Sequence, residues 1–283
     1  MINVEQLRYV RLGTRDLPGA VNFAQQILGL ELVGRTEEIA YLRSDYRDHT
    51  LVYVADSSHR AVAVEARDVA AIDAAERALS QAGHAVERGT PSLCAERKVK
   101  DFLAFHDRSG NRVEIVVRPL TSGWRYFGAR DAGITGLSAV ALRSTHSGDD
   151  ERLWTTIFNG EVRDWVGDAA YVGFDDAHHR LAIHPSDRPG ILAVEFAVES
   201  VDQLMQNWYF LANAQVRIAH GPGRRPTSGQ LFVTFHGPDD VLYSFVAEGT
   251  RIADRAAHRA RQFAKAPLSF CAWGSESDIP EFR

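Results

Sequence analysis

The chain repeats one succession of elements four times, and this repeat limits the possible folds more than any other feature of the sequence. Each copy is predicted to contain a strand, a helix and three further short strands. The first strands of the copies lie near residues 5–15, 61–66, 136–144 and 191–198. A period of about 50–60 residues predicts repeated supersecondary units that share one architecture.

Capping residues support the helices of the first two copies. Asp16 precedes an apolar stretch with helical spacing, and Gly29 follows that stretch, as N-terminal and C-terminal capping residues do. Asp68 and Gly83 bracket the second helix in the same way. The order in each copy is therefore βαβββ.

Four βαβββ copies predict two domains of two copies each. The expected fold class is α+β, with the N-terminal domain at 1–118, a linker at 119–134, the C-terminal domain at 135–249, and a helix and tail at 250–283. The basic stretch 251–265 is the predicted tail helix. One copy buries one face of its curved sheet under its helix and leaves the other face concave, so two copies side by side form a half-open barrel around a cleft. Such a cleft suits a small molecule.

Composition excludes several classes of protein. The formal net charge of −5 argues against a dedicated nucleic-acid-binding protein, which usually has a basic patch. No apolar run approaches the roughly 20 residues of a membrane span, and residues 1–10 do not have the pattern of a signal peptide. Cys94 and Cys271 are far apart, so neither a disulfide framework nor a thiolate metal site is expected. We expect a cytoplasmic protein that binds neither nucleic acid nor membranes.

Three segments of the second half resemble a known family. AYVGFDDAHHRLAIHP (170–185) is similar to a segment with Phe-Leu-Arg followed by His-His-x-x-Ala, and PGILAVEFAVESVDQL (189–204) is similar to a strand that carries a metal-binding His. GRRPTSGQLFVTFHGPDDVLYSF (223–245) is similar to a Gly-Arg-His-Thr-Asn-Asp run with its following turn and Glu-bearing strand. The chain thus resembles the type I extradiol ring-cleaving dioxygenases of the vicinal oxygen chelate, or glyoxalase–bleomycin resistance, superfamily, and most closely the 2,3-dihydroxybiphenyl 1,2-dioxygenase branch.

The resemblance implies the vicinal oxygen chelate fold, an active cleft in the C-terminal domain, a role in aromatic-compound catabolism and self-association into a homo-oligomer. Family members hold Fe(II) or Mn(II) with two His and one Glu, a set that leaves coordination sites open for substrate and O₂. These three positions fall on Leu137, Ala193 and Ser244, which cannot hold a divalent cation together. We therefore expect no cofactor, with Fe(II) or Mn(II) required only if the ligand positions are misplaced.

The resemblance also assigns residues around the cleft. It places the acid–base His on His179, an aromatic wall on Tyr171, the second-sphere His on Arg225 and the active-site Tyr on Thr234. Strand alternation adds Glu195, which lies two residues after Ala193 and shares its face of the strand. We expect His179 to be catalytic and the other four residues to bind substrate.

Each of these assignments has a structural alternative. His179 could instead be a turn histidine bonded to backbone, Glu195 a solvated residue at a strand end, and Arg225 a solvated residue of a Gly/Pro loop. We expect His178 to be exposed on its turn and His184 to end its strand without a functional role. A new metal site among the histidines is not favoured, because no HxxxH or HExxH spacing occurs.

The expected function is binding of a phenolic or catecholic ring in the C-terminal cleft. The chemistry expected there is metal-independent cleavage, isomerisation or oxygenation, with His179 as the proton shuttle. Two alternatives stay open. The protein could be a metal-dependent extradiol dioxygenase whose ligands lie elsewhere, or a binding module or partner subunit without catalytic activity.

Overall fold

The four predicted copies are present in the computed structural model, which describes residues 1–283. The first copy comprises β1 (Val4–Gly13), α1 (Leu17–Phe23), β2 (Glu31–Arg35), β3 (Ile39–Arg43) and β4 (Leu51–Val54). The second comprises β5 (Arg60–Ala66), α2 (Val69–Gln81), β6 (Val86–Arg88), α3 (Pro91–Arg97), β7 (Asp101–His106) and β8 (Arg112–Val117). The third comprises β9 (Ile134–Ser144), α4 (Ser147–Arg152), β10 (Glu161–Val166), β11 (Ala169–Gly173) and β12 (Leu181–Pro185). The fourth comprises β13 (Gly190–Val198), α5 (Val201–Asn213), β14 (Ile218–Arg224), β15 (Leu231–His236) and β16 (Leu242–Ala247).

The copies pair two by two into two sheets. The first sheet has the order β2-β3-β4-β1-β5-β8-β7-β6, and β1 and β5 are antiparallel at its centre. The second sheet has the order β14-β15-β16-β13-β9-β12-β11-β10, with β9 and β13 antiparallel at its centre. Each sheet curls around an interior as a half-open barrel. The predicted α+β vicinal oxygen chelate fold of four βαβββ copies is confirmed.

The long helices pack on the outer faces of the sheets for the reasons that their sequences predict. The Asp68 side chain accepts a hydrogen bond from the Ala71 backbone N–H and begins α2, and Ser200 caps α5 in the same way. One face of α2 is buried, through residues at helical spacing: Ile72, Ala75 and Leu79. The central strands carry apolar residues on both faces because one face meets the helices and the other meets the barrel interior.

The two barrels share one core. A single hydrophobic cluster of 52 residues runs through both halves of the chain. The Tyr53 and Tyr243 hydroxyls are 2.7 Å apart across the junction, and the Asn111 side-chain amide donates to the Arg143 carbonyl at 3.0 Å. Residues 119–133, within the predicted linker, contain no helix or regular strand. The domain division itself stays a prediction.

The predicted tail helix at 251–265 is wrong. Residues 251–260 form turns and irregular backbone, and Arg261–Phe263 form strand β17, which pairs in parallel with β10. A short helix needs a packed apolar face, and apart from Ile252 and Phe263 the apolar residues of this stretch are alanines, which bury little surface. Pairing with β10 satisfies the backbone instead. A single-turn helix, α6 (Pro267–Phe270), follows.

The helices are all too short or too polar to span a membrane.

Candidate active site

The interior of the C-terminal barrel contains four of the five predicted site residues. Tyr171, Glu195, Arg225 and Thr234 line a small enclosed cavity together with Ala193 and Ser244, and the tail contributes Ile279 and Phe282. The cavity measures about 30 Å³. That volume holds a water molecule or two and excludes an aromatic ring.

A buried ion pair occupies the interior. Glu195 is 5% exposed, and its two carboxylate oxygens accept hydrogen bonds from Arg225 at 2.9 Å (Nη1) and 2.5 Å (Nη2). Arg225 also donates to the Gln230 side chain at 3.0 Å, and its guanidinium lies over the Phe232 ring. Although burial opposes the charge of Arg225, Glu195 raises its pKa. Both residues thus point inward, and Glu195 is engaged with the guanidinium instead of standing free as a base.

Tyr171 forms an aromatic wall inside the barrel. Its ring lies edge-on to His179, with 5.1 Å between ring centroids, and to His184 at 5.8 Å. Burial raises the pKa of its hydroxyl to about 12. The phenol is therefore neutral and can act as a hydrogen-bond donor at physiological pH.

His179 is the last member of a buried hydrogen-bonded chain. His178 Nδ1 lies 3.1 Å from His179 Nδ1, and His178 Nε2 lies 3.0 Å from Asp164 Oδ2. Asp164 is fully buried on β10 and accepts three hydrogen bonds from Arg261, one from its backbone N–H at 2.8 Å and two from its guanidinium. His179 is therefore a buried residue with a side-chain partner, and its turn is anchored to β10 and β17.

The expectation that His178 is exposed is wrong. His178 is 3% exposed, because the Asp164 carboxylate beneath it needs partners for its charge and finds one in the imidazole. Burial raises the pKa of Asp164, but the hydrogen bonds from His178 and Arg261 outweigh it and lower that pKa overall. Burial lowers the pKa of His178, and it lowers the pKa of His179 to well below 6.5. Both imidazoles are neutral near pH 7.

The tail closes one end of the barrel. The Phe282 ring stacks on Phe270 at 4.4 Å and lies 5.2 Å from His184 and 5.7 Å from His220. Glu281 anchors this end of the chain through a 2.6 Å contact with Arg143 Nε. His184 ends its strand as expected, but it also lines the cavity.

Sequence reasoning missed Asp164, His220 and the two tail residues Ile279 and Phe282. No spacing marks Asp164 or His220 as inward-facing. A pair of apolar residues in the otherwise polar ending SESDIPEFR was the one available signal for the tail.

The positions expected to correspond to metal ligands do not fit a divalent cation. Ala193 and Ser244 line the cavity, and the Ser244 hydroxyl is 2.8 Å from that of Thr234. Leu137 packs in the large core with Val140, and the β9 residue paired with Glu195 is Ala139. The β9 residue that lines the cavity is Ala141. A bulge separates the pair Glu195–Ala139 from the pair Phe196–Leu137, so Leu137 lies with Phe196 in the large core and faces away from the cavity. No group of three His, Cys, Asp or Glu side chains in the structure is arranged to hold a metal ion.

The N-terminal barrel contains a related but different arrangement. Tyr41 and His49 have the same eight-residue spacing as Tyr171 and His179. His49 Nδ1 contacts Asp48 directly, at 3.1 Å, without an intervening histidine. This buried histidine is a natural internal reference for His179.

Comparisons with known proteins agree with this architecture. The family model of the glyoxalase/bleomycin resistance protein/dioxygenase superfamily matches residues 6–115. The chain is 24% identical to an iron-dependent extradiol dioxygenase from Rhodococcus jostii (strain RHA1), over 98% of this chain and 99% of the relative. It is 31% identical to a biphenyl-2,3-diol 1,2-dioxygenase from Pseudomonas sp. (strain KKS102), over 42% of this chain and 41% of the relative. The crystal structure of a halotolerant catechol dioxygenase superposes with a TM-score of 0.89 at 18% identity, covering 100% of this chain and 98% of that one.

Residues 6–115 thus match the model of the glyoxalase/bleomycin resistance protein/dioxygenase superfamily, which covers most of the first sheet. The chain as a whole is similar in sequence to an extradiol dioxygenase and has the fold of the catechol dioxygenase, in line with the resemblance of its three C-terminal segments.

The expectation that the protein needs no cofactor is contradicted by the same findings. The relative that matches end to end is iron-dependent, so substitution at three positions does not justify removing a metal from the expected chemistry. The residues at these positions still offer no ligand set, and no step below is assigned to a metal.

Buried histidines predict a loss of stability in acid. Burial lowers the pKa of His184 and of His220 to about 4, from an ordinary value of 6.5. Between these values the unfolded chain binds more protons than the folded chain, so stability is complete above pH 6.5 and falls as the pH is lowered. At pH 5 each of these two residues removes about 2 kcal/mol from the free energy of unfolding.

Urea unfolding at pH 7.5, 6 and 5 measures this loss. His184→Leu is expected to remove about 2 kcal/mol of the pH dependence, whereas His146→Gln, at an exposed position, leaves it unchanged. An identical pH dependence in wild type and His184→Leu would contradict the burial argument.

Proposed function

We propose that the protein is an enzyme of aromatic-compound metabolism that binds a phenolic or catecholic ring inside the C-terminal barrel, with His179 as the base that accepts a ring hydroxyl proton. The observation that carries this proposal is the buried, neutral His179 beside Tyr171 in a barrel whose interior also contains the Arg225 cation. The names of the relatives support the ligand class, since one is an extradiol dioxygenase and another acts on biphenyl-2,3-diol.

Arg225 supplies the charge that a ring oxygen needs. A guanidinium in a buried site stabilises an adjacent phenolate, which lowers the pKa of the bound hydroxyl. His179, neutral at pH 7, then accepts the proton. The paired hydroxyls of Thr234 and Ser244 offer further hydrogen bonds along the wall.

A bound aromatic ring needs more space than the small cavity offers, because tail residues fill that end of the barrel. Phe282 and Ile279 close a cavity of about 30 Å³, and outside them lies an open cavity of about 720 Å³. Leu192, Leu242 and Ile279 line both cavities and separate them. We infer that the ligand enters from the outer cavity and displaces Phe282 from its place between His184 and His220.

The contribution of Arg225 can be measured by titrating catechol and 2,3-dihydroxybiphenyl into the protein in a calorimeter. A double variant, Glu195→Gln with Arg225→Gln, avoids leaving a charged Glu195 unpaired in the barrel. We expect its affinity to fall about 10-fold to 100-fold, because a hydrogen bond to a charged group is lost.

Two controls sharpen the measurement. Glu195→Gln alone keeps the cation and is expected to retain binding. Arg224→Gln changes the neighbouring arginine, which pairs with Glu248 near the surface, and is expected to bind like wild type. Equal affinity of the double variant and wild type would remove Arg225 from the site.

Displacement of the tail makes a separate prediction. Phe282→Ala removes the ring that occupies the barrel entrance, so the ligand should bind several-fold faster and more tightly. Trp273 is an exposed aromatic residue of the same tail, and Trp273→Ala should change neither the binding rate nor the affinity. Stopped-flow tryptophan fluorescence compares them, with Phe282→Ala also made in the Trp273→Ala background. Weaker binding of Phe282→Ala would show that the ring is a wall of the site.

A second candidate function is metal-dependent extradiol ring cleavage, which the iron-dependent relative favours. Elemental analysis of protein produced in iron- and manganese-supplied medium, combined with the yellow ring-fission assay, separates the candidates. Stoichiometric metal and yellow product establish the second. Ligand binding without turnover, unaffected by His179→Ala, identifies a binding or partner subunit.

We also propose self-association, which light scattering measures directly.

A further inference from the structure

The state of His179 is determined by residues that lie outside the cleft. The chain of contacts runs from Arg261 through Asp164 and His178 to His179. The chemistry of the groups decides which nitrogen or oxygen donates at each contact, and the assignment begins at Asp164.

Asp164 is that end. Its carboxylate accepts from the Arg261 backbone N–H at 2.8 Å, from Nε at 3.1 Å and from Nη2 at 2.5 Å. An ionised carboxylate has only acceptor sites. The 3.0 Å contact between Asp164 Oδ2 and His178 Nε2 therefore requires a proton on His178 Nε2.

His178 transmits this constraint. A neutral imidazole with its proton on Nε2 has a lone pair on Nδ1, so Nδ1 can only accept. His178 Nδ1 lies 3.1 Å from His179 Nδ1, and two lone pairs cannot face each other at that distance in a buried site. His179 therefore donates from its own Nδ1.

The consequence falls on the remaining nitrogen of His179. A neutral His179 with its proton on Nδ1 has a free lone pair on Nε2. The opposite tautomer would carry a proton on Nε2 and could only donate there. The rings are held nearly perpendicular, at 86° between His178 and His179 and 88° between His179 and Tyr171, so the orientation of Nε2 is restricted as well.

We propose that Asp164 and His178 are positioning residues that hold His179 in the tautomer with a proton on Nδ1 and a bare Nε2, ready to accept a proton from a ring hydroxyl. The proton-accepting part rests on the proposed function; the tautomer assignment does not. Arg261, on β17, holds the Asp164 carboxylate in place through its three hydrogen bonds.

Two-bond proton–nitrogen correlation spectra of the full chain, labelled with ¹⁵N-histidine, test the assignment without any ligand. Wild type is expected to show His179 with a protonated Nδ1 and an unprotonated Nε2. In Asp164→Asn, the side-chain oxygen is expected to take the place of Oδ1, which accepts two hydrogen bonds from Arg261 (backbone N–H and Nε). The amide N–H then takes the place of Oδ2 and faces His178, and Arg261 Nη2 keeps its bond to the Thr227 carbonyl. His178 must then accept at Nε2 and donate from Nδ1, so the proton of His179 should move to Nε2.

Three controls accompany the variant. His49, bound directly by Asp48 in the N-terminal barrel, should keep its tautomer in every spectrum. Asp176→Asn changes an exposed carboxylate of the same turn and should leave His179 unchanged. If Asp164→Asn does not fold, His178→Gln interrupts the chain at the next link and should populate both His179 tautomers.

A wild-type His179 protonated on Nε2, or an unchanged tautomer in Asp164→Asn, would overturn the proposal. With a turned-over substrate, Asp164→Asn should lower kcat about 100-fold or more and leave KM nearly unchanged, as loss of a general base does. Tautomer inversion in a protein without any turnover would refute the proposed function and uphold the positioning role.

Discussion

The ion pair between Glu195 and Arg225 sets the conditions inside the C-terminal barrel. The Glu195 carboxylate on β13 and the Arg225 guanidinium from the β14–β15 connection meet where water is largely excluded. Each compensates the charge of the other and so offsets the cost of burying it. Removing one partner of such a pair costs about 3–5 kcal/mol, since the other is left charged and unpaired. Burial lowers the pKa of His179, His184 and His220, and the Arg225 charge lowers all three further.

The N-terminal barrel also buries a carboxylate against an arginine, but on different strands. Its buried carboxylate is Glu114 on β8, which accepts from Arg97 at 2.7 Å and from the Tyr9 hydroxyl at 2.8 Å. Burial raises the pKa of Glu114, but the bonds from Arg97 outweigh it and lower that pKa to about 2. Both barrels thus contain an Arg–Glu fork, but only the C-terminal one combines it with two hydrogen-bonded histidines, one of which packs edge-on against Tyr171 of the cavity wall.

Periodic features of the sequence predicted the fold and part of the site. The fourfold βαβββ order depends on local patterns of apolar residues and caps, and the inward direction of Glu195 depends only on strand alternation. The resemblance placed the first ligand position on Leu137, but the bulge beside Phe196 turns that residue into the large core. Burial of His178 and the strand at Arg261–Phe263 were not predictable, since both depend on Asp164, which is about 100 residues from Arg261 in sequence. Contacts of this range leave no local pattern. The expectation of no cofactor rested on the three ligand positions alone, and the iron-dependent relative contradicts it.

Strand β17 has a consequence for how the molecule meets its neighbours. Without it, β10 would be the open margin of the second sheet, with a row of unpaired backbone groups that could template the addition of a foreign strand. Three residues cover that margin and at the same time bring Arg261 to Asp164. Protection against aggregation and alignment of the histidine chain therefore depend on the same short segment, and a change that loosens it would compromise solubility and chemistry together.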